Sequence, residues 1–131
     1  MLLFSLNCLA ADITATGSGN WSSTVPNAPW PGGIVPGPND DVDVEAPFNI
    51  TVDSTASIQY IYGSGTFRMA PGATLNVVGD PAGGQGTYQL ATLDTSAAGN
   101  TVIYSGNAFW AKHQNYYHLM FTNTVATNQI D

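Results

Sequence analysis

Asp40, Asp41, Asp43 and Glu45 crowd into the run Asn39-Asp-Asp-Val-Asp-Val-Glu45, and carboxylates at this spacing suggest two kinds of chemistry. Along an extended strand, Asp41, Asp43 and Glu45 share one face while Val42 and Val44 turn to the other. Three carboxylates on one face are a candidate calcium site, because calcium is bound by oxygen ligands alone. No EF-hand or nonapeptide calcium repeat accompanies them, so a solvated outer face that keeps the strand from pairing wrongly is the plainer expectation. Glycoside hydrolysis needs a raised-pKa acid opposite a second carboxylate across a cleft. Asp40 and Asp41, as strand neighbours, point to opposite faces and make no such pair. Lyase chemistry on acidic sugars needs a base near the substrate, and Arg68 and Lys112 are isolated. The sequence points to no enzyme and no cofactor.

The remaining chemistry-bearing residues are sparser. His113 and His118 lie five apart, on opposite faces of a strand or loop, with no cysteine or third histidine near them to complete a metal site. Trp21, Trp30 and Trp110, with the pair Tyr60 and Tyr62, could stack on sugar rings. They serve equally well as core or cap packing, which is the expectation here. Gly63-Ser-Gly65 lacks the third glycine and following helix of a dinucleotide site and reads as a turn. Asn20-Trp-Ser22 and Asn49-Ile-Thr51 match the N-glycosylation pattern, so Asn20 and Asn49 are candidate glycan attachment sites.

Any such residues must be positioned by strands. From Pro26 to Asn39 eight of fourteen residues are Pro or Gly, which excludes a helix. Residues 12–39 therefore read as a loop-like Pro/Gly-rich preface. Beyond it, short runs rich in β-branched and aromatic residues predict strands at 42–45, 49–53, 57–62, 66–69, 74–78, 87–91, 101–104 and 116–122. The gaps between them leave no room for crossover helices. Gly65-Thr-Phe, Gly72-Ala-Thr-Leu and Gly86-Thr-Tyr repeat a pattern in which glycine turns a corner and an apolar residue then points inward. Units this short cannot bury their own faces, so stacking on neighbours must make the core. The expected fold is an all-β solenoid, with a β-sandwich as the alternative.

Composition narrows the partners. Of 131 residues only 8% are charged, and the net charge is −7, against roughly 25% charged in an ordinary domain. Polarity comes from 34 Ser, Thr and Asn residues. Without clustered Lys and Arg the chain cannot bind nucleic acid or an anionic membrane surface. A sugar coat would help to keep so uncharged a surface soluble. Residues 1–11 carry an apolar run ending in small residues, like a shortened secretory signal without its basic start, or alternatively an N-terminal cap. They are too short to span a bilayer. Residues 12–131 form one domain, either whole or part of a longer chain. Cys8 is the only cysteine, so no internal disulfide forms.

Asn20-Trp-Ser and Trp30-Pro-Gly-Gly-Ile-Val-Pro-Gly-Pro-Asn-Asp-Asp-Val-Asp-Val resemble the opening of G8-like modules and related bacterial secreted β-helix proteins. Asn100-Thr-Val-Ile-Tyr-Ser-Gly-Asn-Ala and Asn115-Tyr-Tyr-His-Leu-Met-Phe-Thr-Asn resemble the repeats of bacterial surface adhesin-like proteins, although His118 stands where those repeats carry Asn. The resemblance covers roughly residues 18–124. It implies a right-handed parallel β-helix on a bacterial cell surface, secreted and non-enzymatic. It implies an adhesin-like module or a filament subunit, with a carbohydrate-binding module as the alternative. A solenoid's last strands expose unpaired backbone groups, which predicts self-association along the solenoid axis.

Overall fold

The computed structural model describes residues 11–79, 89–106, 110–122 and 129–130, the last two as backbone alone. Asp12–Thr14 (β1), Asp41–Asp43 (β3) and the first part of Tyr60–Met69 (β6) stack in parallel register, Asp12 on Asp41 on Tyr60. Gly19–Asn20 (β2), Asn49–Val52 (β4), the second part of β6 and Leu90–Asp94 (β8) form a second column. Thr55–Ile58 (β5), Thr74–Val77 (β7), Thr101–Tyr104 (β9) and His118–Phe121 (β11) form a third. Trp110–Ala111 (β10) pairs with Gln129–Ile130 (β12).

Every strand pair among the described residues is parallel, which sets aside the antiparallel sandwich. Asp41 stacks on Tyr60 and Thr55 on Thr74, each 19 positions on, and the residues between are themselves strands and corners rather than a crossover helix. Parallel strands in curled sheets, with no α-helix among the described residues, are compatible with a β-solenoid.

Alternation makes the core. Ile50, Phe67 and Leu93 stack inward in one column, and Leu75 and Val102 follow Ala56 in another. Val42 and Ile61 fill the first column, and all of these side chains are buried. Phe67 and Leu75 are the inward residues expected after their corner glycines, while the Gly86 unit lies outside the described residues. β6 bends from one column into the next at Gly63 and Gly65. Gly63 has φ +113, and a Cβ there would lie 2.4 Å from the Val44 carbonyl oxygen. At Gly65 it would lie 2.7 Å from the same atom, so only glycine lets the corner press on Val44.

Three expectations are corrected. The run 57–62 is two strands: Ile58 ends β5, and Tyr60 opens β6 after a corner at Gln59. The strand expected at 87–91 is β8, Leu90–Asp94, with its start outside the described residues. The preface is no mere loop, because it contributes β1 and β2 beneath β3 and β4.

Candidate functional site: the capped end and its open edge

After β2 the chain folds back over the end of the stack. Thr16 N–H donates to the Pro29 carbonyl at 2.8 Å, and a Cβ on Gly19 would touch the Pro29 ring at 3.0 Å. The Pro/Gly segment thus lies on β2. Trp30 is fully buried, and its Nε1–H donates to the Trp21 carbonyl at 2.7 Å. The Trp21 and Trp30 rings meet edge-on with centroids 5.1 Å apart, and Trp21 also reaches Phe67 at 6.1 Å. The pair plugs the core. A latch holds the cap, with Ser22 donating from its N–H (3.0 Å) and its hydroxyl (2.6 Å) to the Asp53 carboxylate. Burial alone would raise the Asp53 pKa, but these two bonds, with one from its own backbone, outweigh it and hold it below its usual value.

Among the described residues the cap leaves one side of β1 uncovered. A slot of about 550 Å³ runs along its outer edge, lined by Ala11, Asp12, Ile13, Thr14, Thr16, Pro31 and Ile34. Ala15 N–H donates to Asp43 and Asp41 N–H to Ala11, so the backbone groups of residues 11 and 15 face β3. By alternation, those of Asp12 and Thr14 face the slot. Asp40 ties residue 11 to the turn before β3, accepting from Gly37 N–H (2.8 Å) and Ala11 N–H (3.2 Å). Ile34 is 70% exposed.

Beside the slot lies an outer face of acids and tyrosines. Asp41 and Asp43 point outward while Val42 and Val44 are buried, the alternation expected of this run. Tyr62 donates to Asp12 at 2.6 Å, and the Ser64 hydroxyl donates to Glu45. Burial, then the Asp12 bond, push the Tyr62 phenol far above its ordinary range. Burial, then the charges of Glu45 and Asp12, raise the Asp43 pKa. No set of three carboxylate, histidine or cysteine side chains that could hold a metal ion occurs among the described residues. Asp12 and Glu45 each accept from a hydroxyl, and Asp43 lies close to both carboxylates.

The other candidates disperse. Trp21 and Trp30 are buried, so with half-buried Trp110 they form no shared sugar-stacking face, a correction to that candidate. Tyr60 and Tyr62 do stack, at 5.2 Å. His113 and His118 are exposed, with His118 edge-on to Tyr117 at 4.8 Å. Asn20 and Asn49 are exposed on adjacent strands. No helix among the described residues is long and apolar enough to cross a membrane. The Ser22–Asp53 latch and the Ile13–Ile34 slot were not foreseen. Asp12-Ile-Thr-Ala15 alternates and could have revealed β1, but the slot depends on how the cap folds back. No protein-family model, curated protein or solved structure matches this chain.

Proposed function

We propose that this chain is a non-enzymatic structural protein of the cell surface, secreted, and either an adhesin-like module or the subunit of an extracellular filament. Its fold on this reading is a right-handed parallel β-helix that associates with itself along the helix axis. The observation that carries the reading is the stack itself. Three columns of parallel strands close over an apolar interior, and β1 at one end and β11 at the other each keep one side without a strand partner among the described residues. Outward Asn, Thr and Ser residues on β4, β5 and β7 suit an extracellular surface, and Asn20 or Asn49 would accept glycans. Unpaired parallel edges at opposite ends favour head-to-tail contacts, which do not close on themselves.

Sedimentation velocity over a wide concentration range tests the reading. Growing species without a fixed upper size support it, and a concentration-independent monomer rejects it. A second reading, carbohydrate binding, keeps one specific observation, the stacked Tyr60–Tyr62 pair beside the Asp12 carboxylate. Soluble oligosaccharides that perturb tyrosine fluorescence in the parent but not in Tyr60→Ala would favour it.

A further inference from the structure

The geometry points to the β1 slot as the docking site for β11 of a second copy of this chain, added as one more parallel strand. This rests on the self-association proposed above and names its interface. Four large apolar side chains are well exposed among the described residues, and all lie at the two ends of the stack. Val25 (61%) and Ile34 (70%) are on the cap, while Tyr117 (53%) and Met120 (48%) are beside or on β11. Met120 faces outward on the last described strand of the third column, at the rim of that end. Apolar surface confined to two opposite ends is what a head-to-tail contact would cover.

Charge matches the same pairing. Residues 1–67 contain Asp12, Asp40, Asp41, Asp43, Glu45 and Asp53 and no Lys or Arg. Residues 95–131 contain Lys112, His113 and His118, with Asp131 the single acid. Asp12 lines the slot and His118 opens β11. An end rich in acids therefore meets one that bears Lys112 and a single acid.

The backbone edges are complementary as well. Thr122 N–H donates to the Tyr104 carbonyl, so the groups of residues 120 and 122 face β9, and those of Leu119 and Phe121 face away from it. On β1 the groups facing outward are those of Asp12 and Thr14. With His118 beside Asp12, Leu119 beside Ile13 and Met120 beside Thr14, every outward donor meets an acceptor. In the same register Leu119 continues the apolar interior over Ile13, while His118 and Met120 stay on the outside.

The test uses full-length chains with Cys8→Ser as background. Thr14→Cys in one population and Met120→Cys in another would lie opposite each other across this contact. Mixed under mild oxidation, they are expected to give a disulfide-linked pair that needs both variants. Ile34→Glu is expected to abolish concentration-dependent assembly while leaving the melting temperature within a few degrees of the parent. If the parent assembles but the mixed disulfide is absent and Ile34→Glu assembles as the parent does, the slot is the wrong interface although self-association stands. A parent that stays monomeric removes both. A chain beginning at Ala11 that assembles far more readily than the full chain would show the leading segment in the slot, and would overturn the assignment to a second copy.

Discussion

Trp30 shows how one side chain fixes the end of the stack. Its ring closes the core against Trp21, and its only polar atom is satisfied within the cap. Trp30→Ala should cost about 3–5 kcal/mol, the range for removing a buried tryptophan, and chemical denaturation would measure it. Gly65→Ala forces a Cβ to within 2.7 Å of the Val44 carbonyl oxygen. Overpacking of that kind costs about 1–3 kcal/mol. Asp43 acts in the opposite sense. Its folded pKa lies above the reference value of 3.8. The stability it contributes is therefore full below that reference and is lost as pH rises through the folded value. Asp43→Asn should raise the melting temperature at neutral pH by about 1–4 °C, because it removes a charge disfavoured first by burial and then by Glu45 and Asp12. The gain should vanish on acidification to about pH 3. A variant no more stable than the parent at neutral pH would show that Asp43 carries no such penalty.

Elements were legible where alternation was strong. β4, β7 and β9 fall where Asn49-Ile-Thr-Val, Thr74-Leu-Asn-Val and Thr101-Val-Ile-Tyr place apolar residues at every second position. The preface was misread because its Pro and Gly content hid two short strands whose partners, β3 and β4, lie some thirty residues on. Local composition carries no information about such distant pairing. The three tryptophans shared one composition-based expectation, yet Trp21 and Trp30 meet only because the cap folds back over β2. Ser22 and Asp53 likewise gave no local signal. Their bond spans the cap and the end of β4, so Asp53→Ala should loosen the cap more than the stack. The expected loss is about 0.5–1 kcal/mol, because Ser22 and Asp53 are exposed and water takes over the freed donors. Hydrogen exchange should accelerate at residues 21–34 before it does in β7. Uniform acceleration across both would show that cap and stack open as one unit.

At the scale of the molecule, the proposed assembly rests on the strand edges left unpaired among the described residues at the two ends. Phe121 N–H faces the open side of β11, so Phe121→Pro removes a donor from the proposed contact without breaking a bond to β9. Phe121 also stacks on Tyr104 at 5.5 Å, so some loss of stability is expected alongside. A variant that keeps the parent's far-ultraviolet circular dichroism but sediments as a monomer fits the account. One that assembles as the parent does contradicts it. The most direct measurement is electron microscopy of the purified full chain at high concentration. The account predicts unbranched filaments one molecule wide, with strands perpendicular to the axis at a spacing of about 4.8 Å. Discrete monomers of constant size under those conditions would contradict it.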